Sequence, residues 1–226
     1  MAITFITGID TGIGKSFATG LLARYLRAGG KSVITQKLVQ TGTSGEPEDI
    51  TIHRALMGIG LTEDDARGLT CPYRFKFPAS PHLAAKMESA SIHAETLSAS
   101  ADLLAERYDH VLIEGAGGIC VPLDGDFTIL DYVGMRRYPV IIVTSSRLGS
   151  INHTLMTLEM MKSRGLDVAG MIYNLYPPED ETITADSREL FSRFLAARGY
   201  PPAIADLPVV DMKNIPDIDF SCIVGR

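Results

Sequence analysis

Six apolar runs alternate with helix-like segments along this chain. The runs cover residues 3–7, 32–36, 110–114, 139–144, 168–174 and 203–210. They lack the apolar–polar alternation of a half-exposed strand, and short continuous runs of this kind are typical of strands buried on both faces of a parallel sheet. Amphipathic patterns predict helices over residues 16–30, 91–108, 151–165 and 180–199. Strand alternating with helix predicts an α/β fold with a doubly wound, mostly parallel sheet and helices on both faces.

The same pattern predicts a single domain over residues 1–226. With 226 residues, 46% of them hydrophobic, the chain is long enough to bury a large core. Residues 41–50 are expected to form a polar loop, and the tail from about Asp211 to be irregular. The double prolines at 177–178 and 201–202 flank one predicted helix and do not mark a domain linker.

Composition excludes several classes of function. The net charge is −6 and no basic stripe or tail is present, which disfavours nucleic acid as a partner. Three scattered cysteines, Cys71, Cys120 and Cys222, do not form a disulfide framework or a zinc motif, and are expected to be reduced thiols. No window approaches the roughly 18–20 apolar residues of a transmembrane helix, and the first apolar run has no basic leader. We therefore expect a cytoplasmic protein without a membrane partner.

The end of the first run carries a glycine-rich motif, GIDTGIGKS, over residues 8–16. Five residues separate Gly8 from Gly14, one more than in the common phosphate-binding loop. Glycines there allow close approach to a phosphate, Lys15 can reach the β- and γ-phosphates, and the Ser16 hydroxyl can bind magnesium. A plain glycine-rich turn is the alternative, but the position between a strand and a helix favours a P-loop nucleotide site.

Three further charged residues are candidates for the same site. Glu114 ends the third run and precedes Gly115 and Gly117, which suits a second magnesium ligand or an acid at the surface. Lys37 follows the second run, where it suits either stabilisation of a transferring phosphoryl group or an ordinary surface lysine. Asp49 suits either a role in the site or the N-terminus of a helix, where acids are favoured by capping and by the helix dipole. The spacing alone leaves each pair of alternatives open.

Two later segments offer weaker candidates. Asn174 ends the fifth run, where its amide is suited to a base edge or to a turn before Pro177. Gly149 and Ser150 precede a predicted helix, which is a possible anion site. His153 lies in the first turn of that helix, and we interpret it as structural.

Several segments resemble motifs of the dethiobiotin synthetase family, in the family's order. They are GIDTGIGKS (8–16), KLVQTG (37–42), PASPH (78–82), VLIEGAGG (111–118) and LGSINHT (148–154). The similarity of DLPVV (206–210) is weaker. The longer first loop is the form found in that family. Each motif alone is weak, but together, across about residues 3–174, they are specific.

The resemblance implies an ATP- and Mg²⁺-dependent cyclo-ligase of biotin biosynthesis. In that reaction one amine of 7,8-diaminopelargonate takes up carbon dioxide to form a carbamate. The carbamate attacks the γ-phosphate of ATP and forms a carbamic–phosphoric anhydride. The second amine then closes the ureido ring, giving dethiobiotin, ADP and phosphate. The resemblance also implies a homodimer whose active site is shared across the interface.

The resemblance further implies roles for individual residues. Nucleotide binding is expected from Gly12, Ile13, Gly14, Lys15, Ser16, Phe17, Asp49, Glu114, Gly115, Ala116, Gly117, Asn174, Leu207, Pro208 and Val209. Magnesium would be held by Ser16, Asp49 and Glu114, and catalysis would use Lys37, Lys15 and Thr11. Substrate contacts are expected from Thr41 and Lys37, and from a carboxylate site contributed by the opposite subunit, formed by Gly149, Ser150, Ile151 and Asn152.

Two positions depart from the family pattern. Gly12 stands where many members carry glutamate, and Leu38 replaces the usual proline after Lys37. Neither change removes a group that the chemistry requires.

A rival class shares this sheet and loop, namely a ParA/MinD-like switch ATPase that acts through partner proteins. Those proteins carry an additional lysine near the start of the loop, which the segment FITGIDTG (5–12) lacks. The chain also shows no terminal amphipathic basic helix of the kind that attaches to membranes.

Overall fold

The computed structural model describes residues 2–225, and it contains all six predicted strands. In chain order the strands are β1 (Ala2–Gly8), β2 (Val33–Lys37), β3 (Gln40–Thr41), β4 (Arg74–Phe75), β5 (His110–Gly118), β6 (Pro122–Asp124), β7 (Phe127–Thr128), β8 (Val140–Ser145), β9 (Val168–Asn174) and β10 (Ile204–Leu207). The helices are α1 (Lys15–Ala28), α2 (Glu48–Met57), α3 (Glu63–Ala66), α4 (Pro81–Met87), α5 (Ala94–Ala105), α6 (Ile129–Arg136), α7 (Ser150–Ser163), α8 (Glu181–Ala197) and α9 (Ser221–Val224).

Six of these strands form one parallel sheet, in the order β10-β9-β8-β1-β5-β2. Every residue of β8 is buried. Because consecutive residues of a strand point to opposite faces, both faces of the sheet are covered at β8. The predicted α/β fold with a doubly wound sheet is confirmed. Two small two-stranded sheets, β3 with β4 and β6 with β7, were not predicted, since strands of two or three residues leave no periodic pattern.

The sheet order brings three strand ends together. β1 and β2 both pair with β5, so the carboxyl end of β5 lies between those of β1 and β2. Lys37 of β2 is the register partner of Glu114 in β5, and Gly8 at the end of β1 pairs with Gly118. In a doubly wound sheet this edge is where ligands bind.

Helix α2 packs closely against α1 because α1 carries a glycine at the contact. A Cβ on Gly20 would lie 2.7 Å from Cδ1 of Leu56 and 3.2 Å from Cα of His53. Real Cβ atoms do not approach carbon atoms at the first of these distances. Gly20 thus sets how near α2 comes to α1.

A buried ion pair joins the same part of α2 to the sheet. The guanidinium of Arg54 contacts both carboxylate oxygens of Asp65, at 2.9 and 2.7 Å, and donates to Oγ1 of Thr35 at 2.7 Å. Thr35 belongs to β2, so this network joins α2 to the sheet. The fully satisfied hydrogen bonds make the buried charges tolerable.

Two other parts of the chain complete the fold. The predicted polar loop at 41–50 gives way to α2 at Glu48. Within residues 211–225 the irregular tail contains an isolated bridge between Asp211 and Asn214 and the short helix α9. Within residues 2–225, no helix combines the length and the apolar character that crossing a membrane requires.

Candidate active site

The loop between β1 and α1 turns at glycines with left-handed backbone. Gly12 has a φ of 69° and Gly14 a φ of 100°, which residues with a Cβ rarely adopt. Gly8 is required for space, because a Cβ there would lie 2.5 Å from Cγ2 of Ile13. Gly14 directly precedes α1, so the unpaired N–H groups of the helix N-terminus point toward the loop. This backbone is suited to binding phosphate.

Lys15, the first residue of α1, is buried against this loop. Its ammonium donates a hydrogen bond to the carbonyl oxygen of Asp10 at 2.9 Å. Burial, with repulsion from Lys37, lowers the pKa of Lys15 to about 8. A phosphate placed here would favour the charged ammonium.

Four side chains predicted to act together form one hydrogen-bonded cluster. Ser16 Oγ donates to Asp49 Oδ1 at 2.6 Å and lies 3.1 Å from Glu114 Oε1. Lys37 Nζ lies 2.7 Å from both Asp49 Oδ2 and Glu114 Oε1. The same ammonium donates to the carbonyl oxygen of Gly115 at 3.0 Å. Residues that are 98 positions apart in the chain, Ser16 and Glu114, therefore meet at one point.

The cluster keeps its charges although it is buried. Lys37 is 5% exposed and Glu114 is 1% exposed, so neither is the surface residue that spacing alone allowed. Burial alone would lower the pKa of Lys37, but attraction to Glu114 and Asp49 outweighs it and raises that pKa above its ordinary value. Burial likewise disfavours ionised Glu114, but Lys37 and a hydrogen bond from His53 outweigh it and hold the carboxyl pKa well below its usual range. The ammonium and the carboxylate are both charged at neutral pH.

The oxygen atoms of Ser16, Asp49 and Glu114 fit a small divalent cation. Ligands about 2.1 Å from an octahedral magnesium ion are about 3 Å from one another. The distances from Ser16 Oγ to the nearest carboxylate oxygens are 2.6 and 3.1 Å. Within residues 2–225 no group of three or more His, Cys, Asp or Glu side chains is arranged to hold a metal. Ser16, Asp49 and Glu114 supply too few ligands to surround an ion by themselves, so they suit an ion that completes its coordination with phosphate oxygens and water.

His53 is a member of this cluster that no sequence motif indicated. Its Nε2 lies 2.7 Å from Glu114 Oε2, and its side chain has no exposed surface. A carboxylate only accepts hydrogen bonds, so Nε2 carries the proton and donates it. His53 follows Asp49 by four residues in α2, which puts both on one face of the helix. That spacing is the signal in the sequence from which His53 could have been found.

The cluster lines a cavity of about 620 Å³, a volume typical of small-molecule sites. The predicted site residues that line it are Thr11, Gly12, Gly14, Lys15, Ser16, Phe17, Lys37, Thr41, Asp49, Glu114, Ala116 and Gly117. Residues that had no predicted role complete the lining, namely Val39, Gln40, Ile52, Pro78, Ala79, Ser80, Pro81 and Val121. The stretch from Pro78 to Pro81 belongs to the PASPH segment.

The residues expected near the nucleotide base lie at the ends of β9 and β10, and they are not among the residues that line this cavity. Asn174 Nδ2 donates to the carbonyl oxygen of Ile13 at 2.9 Å, and its Oδ1 accepts from the backbone N–H of Tyr176 at 3.1 Å. Leu207 pairs with Asn174 in register and is buried, whereas the following residues 208–209 are partly or fully exposed. Asn174 thus joins the end of β9 to the phosphate loop.

Residues 149–152, expected to bind the substrate carboxylate, form the N-terminus of α7 and lie outside the described lining of the cavity. Ser150 is buried, with its Oγ 3.0 Å from Oγ of Ser145. Arg147, two residues before this segment, forms a half-exposed ion pair with Asp10, at 2.8 Å. The start of α7 is therefore connected to the phosphate loop of its own chain.

Three features define a P-loop nucleotide-binding protein. They are the parallel sheet, the glycine-rich loop from β1 into α1, and the Lys15-Ser16 pair beside the carboxylates of Asp49 and Glu114. ATP-dependent dethiobiotin synthetase BioD 2 of Pasteurella multocida strain Pm70 is 51% identical over 193 residues, which cover 85% of this chain and 91% of that protein. ATP-dependent dethiobiotin synthetase BioD of Chlorobaculum tepidum is 49% identical and covers 92% of this chain and 86% of its own length. The chain belongs to the dethiobiotin synthetase family.

Two further comparisons concern the fold. A family model described as an AAA domain matches residues 3–211. The structure of a ParA family ATPase from Chlorobium tepidum TLS superimposes with a TM-score of 0.55, covering 94% of this chain and 87% of that chain at 16% sequence identity. At that identity the likeness shows a shared fold only.

Proposed function

We propose that this protein uses ATP and Mg²⁺ to carboxylate 7,8-diaminopelargonate and to close its ureido ring, giving dethiobiotin, ADP and phosphate. One α/β domain over residues 1–226 would carry the activity. The observation that carries the proposal is the ammonium of Lys37, held between the carboxylates of Asp49 and Glu114 beside the phosphate loop. Membership of the dethiobiotin synthetase family supports the choice of substrate.

The triphosphate would lie along the glycine loop from Gly12 to Gly14. Backbone N–H groups there and the ammonium of Lys15 would neutralise its charge. Ser16, Asp49 and Glu114 would hold Mg²⁺, which when bound neutralises charge on the β- and γ-phosphates. The 2.6 and 3.1 Å oxygen–oxygen distances in this donor set support that assignment.

The nucleoside would extend from the loop toward the ends of β9 and β10. Ile13, Phe17 and Asn174 would border it, with the base near Leu207, Pro208 and Val209. The hydrogen bond from Asn174 to the Ile13 carbonyl supports this, because it joins the base region to the phosphate loop. Among residues 2–225 the Asn174 amide nitrogen donates to the Ile13 carbonyl alone, so its second hydrogen would be available to a base.

The diamine would occupy the cavity between the phosphate loop and the segment from Pro78 to Pro81. Thr11 and Thr41 line this cavity and would contact the amine and carbamate groups. The backbone around Gly115, Ala116 and Gly117 would lie close to the reacting atoms.

The chemistry requires bond changes that the lysines are placed to assist. A carbamate oxygen attacks the γ-phosphorus, and the bond from that phosphorus to the ADP oxygen breaks. The second amine then attacks the carbamoyl carbon, phosphate leaves, and the nitrogen loses a proton. Lys15 and Lys37 would stabilise the charge that develops on the transferred group, and their fixed positions require no reorganisation.

The substrate carboxylate would bind at residues 149–152 of a second protomer, in a homodimer. Three observations on α7 support this. Leu148, which lies two residues before α7, is 99% exposed, and Ile151 and Met156 of α7 are also exposed apolar residues. A dimer that uses the start of α7 would remove this apolar surface from water.

Other features support a cytoplasmic enzyme that acts on small molecules. Its net charge of −6 opposes binding to nucleic acid, and its three cysteines are too few and too scattered for a disulfide framework. We infer no nucleic acid or membrane partner for the reaction.

The proposal is tested by ADP release from the purified protein with ATP, Mg²⁺ and bicarbonate. Diaminopelargonate should accelerate ADP release, and mass spectrometry should show one dethiobiotin formed for each ADP. Turnover that ignores the diamine, but responds to DNA or to a protein partner, would contradict the proposal and favour a switch ATPase.

A further inference from the structure

The two carboxylate oxygens of Glu114 have different partners. Oε1 lies 2.7 Å from Lys37 Nζ and 3.1 Å from Ser16 Oγ. Oε2 accepts the hydrogen bond from His53 Nε2 at 2.7 Å. One oxygen therefore faces the cation site, while the other is directed at α2.

We propose that His53 is a positioning residue that restricts Glu114 to a single metal-binding oxygen, and so makes the site prefer Mg²⁺ over Ca²⁺. The inference rests on the proposed role of Glu114 as a magnesium ligand. No sequence motif of the family resemblance includes His53.

The physical reason is the difference in coordination between the two ions. Mg²⁺ requires a nearly ideal octahedron with short bonds, and it uses carboxylates through one oxygen. Ca²⁺ accepts six to eight oxygen ligands and often takes both oxygens of one carboxylate. A carboxylate whose second oxygen is hydrogen-bonded to His53 is held in the geometry that Mg²⁺ requires. Released from His53, Glu114 would be able to turn and offer both oxygens.

His53 is rigid enough to impose this geometry. Its side chain is fully buried, and its backbone lies against Gly20 of α1. The next residue, Arg54, is held by Asp65 and Thr35. The imidazole cannot follow a turning carboxylate without disturbing these contacts.

The test compares two replacements of His53 in the full-length protein. His53→Leu removes the hydrogen bond, whereas His53→Gln places an amide N–H at a similar distance from the backbone. Leu56→Val is the matched control, because Leu56 is equally buried in α2 and packs on the same glycine of α1. Titration calorimetry measures ADP affinity in Mg²⁺ and in Ca²⁺ for each protein, and thermal unfolding measures stability.

We expect wild type to bind ADP more tightly with Mg²⁺ than with Ca²⁺. Loss of a residue that orients a metal ligand commonly weakens metal affinity by about 10- to 100-fold. His53→Leu should therefore reduce the ratio of Mg²⁺- to Ca²⁺-supported affinity by about tenfold or more, and His53→Gln should restore most of it. Leu56→Val should lower the unfolding temperature and leave the ratio unchanged.

The outcomes separate this inference from the proposed function. If Mg²⁺ does not strengthen ADP binding by wild type, the metal site itself is wrong and the role of His53 is lost with it. If wild type responds to Mg²⁺ but His53→Leu keeps the wild-type ratio, only the role of His53 is overturned. The same holds if His53→Gln behaves like His53→Leu, since the hydrogen bond would then not be the cause.

Discussion

Lys37 and Glu114 face each other at the carboxyl edge of the sheet, and their side chains form a buried ion pair with Nζ 2.7 Å from Oε1. Their backbones are register partners on the neighbouring parallel strands β2 and β5. Neither charge would be stable alone at this depth, because burial of an unpaired ion costs several kcal/mol. Pairing lets the protein keep a fixed ammonium next to a phosphate-binding loop.

Replacing Lys37 with methionine should stop the reaction while leaving the fold in place. Methionine keeps most of the side-chain volume but removes the charge that would stabilise the transferred phosphoryl group, and the loss of one such group commonly costs about 10²- to 10³-fold in kcat. It also leaves Glu114 and Asp49 without their cation, so stability should fall by about 3–5 kcal/mol. Dethiobiotin formation and urea unfolding measure the two effects.

Lys31→Met is the control for Lys37→Met, because Lys31 is an exposed lysine just before β2. It should change neither the rate nor the unfolding midpoint. A wild-type rate in Lys37→Met would mean that the ammonium takes no part in the chemistry.

Two glycines of the phosphate loop should respond differently to alanine. Both have left-handed backbone, which costs a residue with a Cβ about 1–2 kcal/mol. A Cβ on Gly14 would in addition lie 2.6 Å from Asn174 Nδ2, whereas a Cβ on Gly12 would meet no atom of the described residues within 4 Å. We expect Gly14→Ala to weaken ADP binding clearly more than Gly12→Ala, as measured by titration calorimetry. Equal losses would show that the contact with Asn174 does not matter.

A charge at Leu148 should separate the proposed dimer. Leu148 is 99% exposed in the single chain and lies next to residues 149–152, so a dimer that uses the start of α7 would bury it. Leu148→Glu would place a carboxylate in that interface, and sedimentation velocity should show a monomer with little activity. Met135→Glu, an exposed apolar position on α6, should remain dimeric. A wild-type protein that sediments as a monomer would refute the shared site.

Asp65 should make the fold sensitive to acid. Burial opposes its ionisation, but hydrogen bonds from Arg54, Thr62 and Thr70 outweigh it and lower the pKa of Asp65 from 3.8 to about 2. A group whose pKa is depressed by folding stabilises the native state above its unfolded pKa, and this contribution is lost as pH falls through the folded value. The shift corresponds to about 2 kcal/mol that is present at neutral pH and is lost between about pH 4 and pH 2.

Urea unfolding at several pH values tests the role of Asp65. In Asp65→Asn the protein should be less stable at pH 7, because the buried guanidinium of Arg54 loses its negatively charged partner. The stability of this variant should fall less steeply than that of wild type below pH 4. Parallel curves for the two proteins would show that Asp65 does not couple folding to protonation.

Much of the fold could be predicted from local patterns. All six strands of the central sheet and the long helices α1, α5, α7 and α8 lie where the pattern of apolar residues predicts them. The motif GIDTGIGKS likewise predicted a loop between a strand and a helix. Such patterns are local, because burial on both faces and the need for glycine at positive φ act on a few consecutive residues.

The contacts at the site could be predicted only in part. Spacing left Lys37 and Asp49 with two interpretations each, and it gave no role to His53. Their positions depend on β5 lying between β1 and β2, and on how closely Gly20 allows α2 to approach α1. These are long-range relations, and local periodicity carries no information about them.

The sequence by itself determined the class of fold, the phosphate loop and the family, because each leaves a signature in neighbouring residues. The tertiary structure decided which polar groups meet. It buries Lys37 between Asp49 and Glu114 and turns the second oxygen of Glu114 toward His53. The physical reason is that a buried charge is stable only with a partner, and strand order and helix packing choose that partner from distant parts of the chain.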